Sequence, residues 1–343
     1  MQILIIRLSA IGDVVMASAV IPALRRAYPE ARIDWLAEPP ADAVLRAQPE
    51  LNEIITWPKG DWKRLLRQGR LRALTREVIG FARRLRGNRY DLVLDLQGLA
   101  KSGLWARVTR APRRVGLGSR EGSQYLMTEV VTRPRGDERI ASEYLRLVEA
   151  LGIDPGAFPM APAVSDGDRA NAEALLAAKG LTGNFAVVAP FTTRPQKHWV
   201  EGRWAPLADR IQQELGLPVV MVGGPGDQEA ARRIESQAGE GLVDLTGQTG
   251  LTETFALLDE ASLCLGVDTG LTHAAIGFGT PTVALFGSTR PYLDPATENA
   301  HVLYSALPCS PCRRRPTCGG TFDCMAAFEV DQVLDAAREV IRS

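Results

Sequence analysis

Short apolar runs alternate with amphipathic stretches along the first half of the chain. The runs ILIIRL, RIDWLA, EIITW and DLVLDLQ predict β-strands over residues 3–8, 32–37, 53–57 and 91–97. After the first run, apolar residues recur at steps of three and four, which predicts a helix over Val14–Ala27. Because strands that alternate with helices form βαβ units, we expect a parallel sheet in an α/β fold.

The same alternation restarts in the second half of the chain. Strands are predicted over 185–190, 218–224, 242–247, 262–268 and 280–287, and helices over Trp204–Glu214 and Val330–Ile341. Between the halves lies DPGAFPMAPAVSDGD, residues 154–168, whose Pro, Gly and Asp are typical of a linker. We therefore expect two domains, residues 1–160 and 161–328, followed by a C-terminal helix within 329–343.

The composition is that of a globular protein with no general preference for polyanions. The 343 residues are 45% hydrophobic and 23% charged, and 40 Lys and Arg balance 40 Asp and Glu. No apolar run approaches the ~20 residues that span a bilayer. The opening MQILIIRLSAIGD also lacks the charged start and long apolar core of a secretory signal. We expect a cytoplasmic protein, with attachment to a membrane surface left open.

Four of the five cysteines lie close together in CSPCRRRPTCGGTFDC, at Cys309, Cys312, Cys318 and Cys324. A disulfide frame is not expected in a reducing cytoplasm. The CxxC start suits zinc, but the later spacings of five residues match no established zinc pattern. We interpret the segment as a loop of small thiols and predict no metal site, with a bound metal as the alternative.

Polar groups follow the first predicted strand of the second half, in FTTRPQKHW. Thr192 and Thr193 supply hydroxyls and Lys197 supplies an ammonium group. The carboxyl ends of parallel strands border the ligand crevice, so these groups suit a phosphate. A solvated loop is the alternative.

Two further strand ends of the second half have features of a nucleotide site. Gly223 and Gly224 in VGGPGD would let a nucleotide approach the backbone, and Asp227 suits a ribose hydroxyl unless it only caps the next helix. In DTGLTH, Asp268 and Thr269 end a strand and Gly270 opens a helix, whose free N–H groups bind anions; His273 lies one turn later. Together with Lys197, these strand ends predict a diphosphate site. The segments match neither GxxxxGK[ST] nor GxGxxG, which disfavours a P-loop NTPase and a dehydrogenase.

The turn RLSAIGD in the first half places an acid, Asp13, at a helix start. If the diphosphate lies on the second half, Asp13 is suited to accept a proton from an attacking hydroxyl, with Ser9 and Gly12 shaping the turn. An ordinary capping acid, worth ~0.5–2 kcal/mol, is the alternative. Gln97 and Lys101 follow a later strand in DLQGLAKS, at the same kind of strand end.

The stretch between the third and fourth predicted strands is strongly basic. Residues 62–90 include ten Lys or Arg and one acid. A single apolar stripe runs along the stretch at Leu71, Leu74, Val78, Phe81 and Leu85. A solvated helix face is the default interpretation, but a basic amphipathic helix also suits an anionic membrane or a polyanionic acceptor.

The chain resembles the heptosyltransferases of glycosyltransferase family nine over essentially its whole length. The resemblance lies in four segments, in this order: RLSAIGDVVMASAVIPALRRAYP, DLVLDLQGLAKSGL, FTTRPQKHW and GVDTGLTHAAIGFGTPTVALFG. It implies a GT-B fold of two Rossmann-like domains facing a central cleft, with the acceptor on the first, the nucleotide sugar on the second, and a last helix that crosses back.

The resemblance also implies a reaction and its partners. Heptose would pass from ADP-L-glycero-β-D-manno-heptose to the Kdo region or first heptose of the lipopolysaccharide inner core. The transfer would invert the anomeric centre without a metal or other cofactor. The acceptor, Kdo-lipid A or inner-core lipopolysaccharide, would be met by a peripherally bound enzyme at the cytoplasmic face of the inner membrane.

Several residues take roles from the resemblance. Asp13 matches the proposed general base, and Lys101 and Arg120 fall in regions that face the anionic acceptor. The phosphate-side loop and the DTGxxH turn of the family match Thr192, Thr193, Lys197, Asp268, Thr269, Gly270 and His273.

Several alternatives remain within and beyond this family. DxQGLxKS and DTGLTH look closer to the type I members, which add the first heptose to Kdo, whereas the cysteine cluster departs from the simplest of them. A type II enzyme, or a family-nine transferase with another donor or acceptor, is therefore the alternative. A nucleotide-sugar epimerase and a non-catalytic nucleotide-binding scaffold are more distant ones, and nucleic-acid binding is not expected.

Overall fold

The chain folds into two units in a computed structural model that describes residues 1–134 and 136–342. The first unit comprises Met1–Asp137 and Ala141–Pro162, and the second comprises Glu138–Ile140 and Ala163–Ser343. The change from one unit to the other thus falls inside the Pro-rich segment 154–168.

Six parallel strands form the sheet of the first unit, in the order β3-β2-β1-β4-β5-β6. The strands are β1 (Gln2–Ile6), β2 (Arg32–Ala37), β3 (Glu53–Thr56), β4 (Leu92–Asp95), β5 (Arg113–Leu117) and β6 (Glu129–Val131). The predicted parallel α/β sheet is confirmed, and its four predicted strands correspond to β1, β2, β3 and β4. The sequence pattern missed β5 and β6, because β5 begins with two arginines and β6 is short and mostly exposed.

The helices of the first unit are α1 (Ile11–Ala17), α2 (Val20–Ala27), α3 (Lys59–Arg67), α4 (Leu71–Gly87), α5 (Ala100–Val108) and α6 (Ser142–Ala150). The single helix predicted over Val14–Ala27 is in fact two, α1 and α2, with a break at Ser18. Pro22 explains the break, because it has no N–H to donate to the carbonyl of Ser18 and is tolerated in a first helical turn. The Ser18 hydroxyl instead donates to the Val15 carbonyl, at 2.6 Å, and accepts from the Ala161 N–H, at 2.7 Å.

The second unit repeats the arrangement, with strand order β12-β11-β10-β7-β8-β9 and all pairs parallel. Its strands are β7 (Ala186–Ala189), β8 (Val219–Met221), β9 (Leu242–Asp244), β10 (Leu263–Val267), β11 (Thr282–Phe286) and β12 (Ala300–Tyr304). Its helices are α7 (Asp166–Ala178), α8 (Trp204–Leu215), α9 (Gln228–Glu235), α10 (Leu251–Glu260), α11 (Gly270–Phe278), α12 (Asp323–Ala326) and α13 (Val330–Arg342). The half-buried edge strand β12 was not predicted.

In both sheets the chain starts in the middle, fills one side, and then returns to fill the other. The reversal lies between β1 and β4 in the first unit and between β7 and β10 in the second. At such a switch point the connections leave in opposite directions, which opens a crevice at the carboxyl ends of the two strands. The fold therefore fixes one position for a ligand on each sheet.

The last helix, α13, belongs to the core of the second unit. Val333, Leu334, Ala337 and Val340 are buried there, and the helix contacts α8 and the strands β10 to β12. The crossing back to the first half that the family resemblance implied stays a prediction. The amphipathic pattern of the helix predicted its bounds well but not the surface it would cover.

A group of aromatic rings holds α3, α4 and α5 together. Phe81 of α4 and Trp105 of α5 make an edge contact with ring centroids 5.0 Å apart, and Trp62 of α3 lies 5.5 Å from Phe81. Trp57, which follows β3, closes the group at 5.9 Å from Trp105. The basic helices are thus attached firmly to the unit. No helix among residues 1–134 and 136–342 is long and apolar enough to cross a membrane.

The turn after β4 needs a glycine at Gly98. Its φ is +67°, and a Cβ there would lie 2.5 Å from the carbonyl oxygen of Leu117. Gly69, in the turn between α3 and α4, has the same φ of +67°, but a Cβ there would have no neighbour within 4 Å. The two positions therefore separate the cost of the backbone conformation from the cost of the close approach.

We expect Gly69→Ala to lower the free energy of unfolding by ~1–2 kcal/mol, the cost of a left-handed residue with a Cβ. Gly98→Ala should cost a further ~1–3 kcal/mol, because the methyl group clashes with backbone that cannot move aside easily. Urea unfolding followed by circular dichroism measures both variants. Equal losses at the two positions would contradict the close approach.

Candidate active site

The loops that follow β1 and β4 are joined to each other at the first switch point. The side-chain oxygen of Gln97 accepts hydrogen bonds from the backbone N–H groups of Leu8, at 3.0 Å, and Ser9, at 3.3 Å. The Arg7 guanidinium donates to the Leu96 carbonyl at 2.9 Å. Gln97, predicted as an acceptor contact, therefore uses its oxygen to hold the turn in shape.

Asp13 lies in the first turn of α1, and its Oδ2 atom makes all of its side-chain contacts. That oxygen accepts from the Ala10 N–H at 3.2 Å and pairs with Arg7 Nη2 at 2.6 Å. Capping, the alternative for Asp13, is thus present. The Asp13 side chain is nevertheless 39% exposed, and its Oδ1 atom has no partner among the described residues. One carboxylate oxygen is left to accept a proton from a ligand.

Arg7, which sequence reasoning did not select, is the buried partner of Asp13. Its side chain is 5% exposed. Burial acts to lower the pKa of the Arg7 guanidinium, but Tyr144, Asp13 and Glu143 raise it above its usual value. The Tyr144 hydroxyl, fully buried, also donates to the backbone carbonyl of Asp13 at 3.3 Å. The carboxylate is therefore held beside a permanent positive charge.

A second charged group lies at the same edge of the first sheet. Glu38, which follows β2, pairs with Lys59 at 2.9 Å and with Lys101 at 3.3 Å. Both ammonium groups lie near the Trp57 ring, at 5.4 and 6.0 Å from its centroid. Two cations thus share one carboxylate, so the cluster keeps an excess positive charge for an anionic ligand.

The electrostatics of this group follow from its partial burial. Burial acts to raise the pKa of Glu38, but Lys59 and Lys101 lower it below its usual value. Burial lowers the pKa of Lys101, and the nearby charge of Lys59 lowers it further, while Glu38 opposes both. A bound anion would relieve the repulsion between the two lysines.

Arg120, predicted at the acceptor, reaches this edge through its backbone. Its N–H donates to the Gly98 carbonyl at 3.0 Å, and the residue itself is exposed. Its guanidinium makes no ion pair with a described residue. Gly12 lies in the first turn of α1, next to Asp13. The first switch point thus brings together Ser9, Gly12, Asp13, Gln97, Lys101 and Arg120.

At the second switch point, Asp268 is the centre of a buried polar group. Its Oδ2 pairs with Lys197 at 2.5 Å and accepts from the Thr289 hydroxyl, and its Oδ1 lies 3.2 Å from His273 Nε2. Burial acts to raise the pKa of Asp268, but His273 and Lys197 outweigh it and hold the pKa well below its usual range. Both oxygens have protein partners, so Asp268 orients Lys197, His273 and Thr289.

Lys197 and His273 differ in what they leave available. The other ring nitrogen of His273, Nδ1, lies 2.8 Å from the Tyr292 hydroxyl, so both nitrogens are engaged and the ring is fixed. Lys197 uses two contacts on Asp268, the carboxylate and the backbone carbonyl at 3.1 Å. An ammonium group has three N–H donors, so one remains for a ligand.

The N-terminus of α11 completes this part of the site. Its N-cap, Thr269, has extended backbone and no capping side chain, so the N–H groups from Gly270 onward point out of the helix end. Thr192 and Thr193 follow the neighbouring strand β7, half-buried and exposed respectively. Neither hydroxyl bonds to another of the described residues. Strands β7 and β10 are neighbours in the sheet, so the donors that follow them lie at the same edge of it.

The turn after β8, also next to β7, is shaped mainly by packing and capping. A Cβ on Gly223 would lie 2.4 Å from the Phe191 ring, which requires glycine there. The Asp227 carboxylate accepts from the Gly224 N–H at 2.8 Å, so it has the capping role that was its alternative. Its predicted contact with a ribose stays a prediction.

The cysteine loop contacts the segments beside the Asp268 group. The Gln196 amide donates to the Arg313 carbonyl at 3.0 Å, and the Ser310 hydroxyl donates to the Gly287 carbonyl at 2.6 Å. All five cysteines have free thiols, with Cys264 and Cys324 buried. Within residues 1–134 and 136–342, no group of three or more His, Cys, Asp or Glu side chains is arranged to hold a metal ion.

Sequence reasoning missed Arg7, Glu38, Lys59, Thr289 and Tyr292. The first three each follow a strand, in RLSAIGD, AEPP and WPKG, so strand-end position was an available signal. Thr289 and Tyr292 follow β11 in the same way. A charged residue at a strand end looks ordinary until its buried partner is known.

Comparison with known proteins agrees with this geometry. The family model described as glycosyltransferase family 9 (heptosyltransferase) matches residues 78–321, more than half of the chain. Lipopolysaccharide heptosyltransferase 1 of Pseudomonas aeruginosa is 29% identical over 93% of this chain and 87% of its own length. Lipooligosaccharide heptosyltransferase 2 of Haemophilus ducreyi is 30% identical over 88% of each chain.

Comparison of structures adds the fold. The ADP-heptose lipopolysaccharide heptosyltransferase II of Escherichia coli superposes with a TM-score of 0.76 at 24% identity, over 100% of this chain and 99% of the other. Two parallel sheets with switch points, the donor-lined strand ends and the family match all agree, and the chain belongs to glycosyltransferase family 9, the heptosyltransferases.

Proposed function

We propose that the chain transfers L-glycero-D-manno-heptose from ADP-heptose to the Kdo region of the lipopolysaccharide inner core, with inversion at the anomeric carbon. The observation that supports this most is the state of Asp13, half-exposed with one oxygen free beside a buried arginine. A base of this kind is what a hydroxyl nucleophile requires. The lipopolysaccharide heptosyltransferases of other bacteria that resemble this chain support the choice of substrates.

In this proposal the second unit binds the donor. The free donor of Lys197 and the N–H groups of α11 bind the diphosphate of ADP-heptose, and Asp268 and His273 hold these groups in place. As the bond from heptose C1 to the phosphate oxygen breaks, negative charge grows on ADP. Preorganised donors stabilise that charge without reorganising, and in this scheme they do so without a metal.

The first unit binds the acceptor and removes its proton. The acceptor hydroxyl attacks C1 from the face opposite ADP, so that one C–O bond forms as the other breaks and the configuration inverts. Oδ1 of Asp13 takes the hydroxyl proton, while Arg7 holds Oδ2. Lys59, Lys101 and Arg120 bind the carboxylates of the acidic Kdo sugar.

The acceptor also defines where the reaction takes place. Kdo is joined to lipid A, whose acyl chains lie in a membrane, so the enzyme would work as a peripheral protein on the cytoplasmic face of the inner membrane. The second candidate is a type II enzyme, for which the acceptor is an inner core that already has one heptose. The chain is similar to heptosyltransferases of both types, so the experiment includes an acceptor for each type.

The test of the proposal is ADP release from ADP-heptose, with and without a deacylated core that ends in Kdo. Acceptor-dependent release supports the type I function. Release only with a heptose-bearing core supports the type II function. If neither core gives release, the proposed function is wrong, and other nucleotide sugars must be screened.

In the same assay, Asp13→Asn should lower kcat ~10²–10⁴-fold, because the amide cannot accept a proton although it still caps α1. The affinity for ADP, measured by calorimetry, should hardly change. Glu253→Gln is the control, since Glu253 caps α10 in the same way, at 2.8 Å from the Gly250 N–H. Near-normal turnover of Asp13→Asn would exclude it as the base.

Arg7→Met should lower kcat roughly 10–100-fold with little change in the KM for either substrate, because the free Asp13 carboxylate loses its fixed position. Arg7→Lys keeps the charge and should recover part of kcat. A purely structural role for Arg7 predicts instead that Met and Lys variants differ in stability but have the same kcat per folded molecule. Urea unfolding of both variants provides that comparison.

Lys197→Ala should weaken ADP binding about 10–100-fold, the value of a hydrogen bond from a charged donor. Lys179→Ala, at an exposed lysine of the same unit with no ion pair to a described residue, is the control and should bind ADP normally. Isothermal titration calorimetry with ADP measures both. An unchanged affinity in Lys197→Ala would contradict its role at the diphosphate.

A further inference from the structure

One face of α4 has no role in the fold or in the proposed site. The opposite face packs on the unit through Val78, Phe81 and Leu85. At 100° per residue, the outward face presents Arg72, Arg76 and Arg83 around Ile79, and all four are exposed. No acidic residue occupies this outward stripe.

The outward arginines have no charge partners among the residues that the structure describes. Arg72, Arg76 and Arg83 form no ion pair with any residue in 1–134 or 136–342. Two nearby acids pair with other arginines, Asp61 with Arg64 and Glu53 with Arg84. Glu77, the one acid of α4, makes no ion pair with a described residue and lies about 140° around the helix from Arg72. With ten basic residues and one acid in 62–90, this surface is strongly positive although the chain is neutral overall.

Large apolar side chains are also exposed around the turn that joins α3 to α4 and on the outward face of α4. Leu66 and Leu71, on either side of the turn that joins α3 to α4, are 57% and 58% exposed, and Ile79 is 45% exposed. Arg67 and Arg70 lie between the two leucines. Apolar side chains surrounded by arginine are typical of surfaces that rest in the interface of a bilayer, where both find favourable surroundings.

We propose that the α3–α4 surface, made of Leu66, Leu71, Arg72, Arg76, Ile79 and Arg83, docks on a bilayer of anionic phospholipids. Charge complementarity selects the anionic headgroups, and the exposed leucines favour a bilayer over a hydrophilic polyanion, which would leave them in water. The aromatic contacts of Trp62, Phe81 and Trp105 hold the surface firmly on the unit.

This inference rests on the proposed function in one respect. A lipid-linked acceptor gives the enzyme a reason to stay on a membrane, and the first unit, which would bind that acceptor, is the one that docks. The surface itself is distinct from Asp13 and from the Glu38 cluster, so binding to lipid can be measured without turnover.

The experiment is co-sedimentation of the full chain with vesicles of phosphatidylcholine, alone or mixed with phosphatidylglycerol. The wild type should bind the mixed vesicles and not the neutral ones, and added salt should weaken binding. The triple variant Arg72→Gln, Arg76→Gln, Arg83→Gln should bind about a hundredfold more weakly, since each basic side chain near an anionic surface contributes roughly fivefold. Leu66→Ser with Leu71→Ser should also weaken binding, and that loss should persist at high salt.

A matched control removes the same charge elsewhere. Lys179→Gln, Arg232→Gln and Arg342→Gln are exposed positions of the second unit without ion pairs to described residues, and this triple variant should bind vesicles as the wild type does. Equal losses in the two triple variants would overturn the proposal, because only net charge would matter.

Other outcomes would also overturn it. Wild-type binding to neutral vesicles, or no binding to mixed ones, would show that anionic phospholipid is not the partner. Binding only when Kdo-lipid A is added to the vesicles would assign the surface to the acceptor itself. Turnover with the soluble deacylated core separates the two proposals. The arginine triple variant should turn over this core as the wild type does, because no membrane is involved. If the wild type itself does not turn over this core, the proposed function is wrong, whereas the docking proposal still depends on vesicle binding alone.

Discussion

The handedness of parallel β-connections is the constraint on which this structure depends. Crossovers between parallel strands are right-handed in nearly all proteins, so when a chain that starts in the middle of a sheet reverses its course, its helices change to the other face of the sheet. The reversal occurs between β1 and β4 and between β7 and β10. Each one leaves a crevice at the carboxyl ends of the strands, and Asp13, Gln97, Lys197 and Asp268 come from the segments that follow these four strands.

Within these crevices, the carboxylates of Asp268 and Asp13 lie in opposite electrostatic environments. Asp268 is nearly buried and has partners on both oxygens, which lowers its pKa and makes it a fixed support for Lys197 and His273. Asp13 is far more exposed and has partners on one oxygen only. A carboxylate with partners on both oxygens can organise neighbouring groups, whereas one with a free oxygen can accept a proton from a ligand. The difference comes from burial and from the number of donors nearby.

Strong periodicity made most of the fold predictable. The buried central strands consist of continuous apolar residues, as in β1 and β10, and such runs are visible without a structure. The strands β5, β6 and β12 lie toward the sheet edges, where exposed faces tolerate arginine, glutamate and histidine and the apolar signal disappears. The surface on which α13 packs could not be predicted from the sequence either. An amphipathic pattern shows that one face of a helix is covered but does not show what covers it.

By itself the sequence determined the α/β class, the two halves, the family resemblance and the residues at strand ends that include Asp13, Lys197 and the DTGLTH turn. These follow from local pattern and residue chemistry, which are properties of neighbours in the chain. Only the tertiary structure decided that Arg7 pairs with Asp13, that Glu38 joins Lys59 to Lys101, and that Gln97 holds a turn. Most of these pairings join residues distant in sequence, and even Arg7 and Asp13 meet only through the turn that follows β1. Burial sets the strength of such pairings, so they exist only once the sheet has formed.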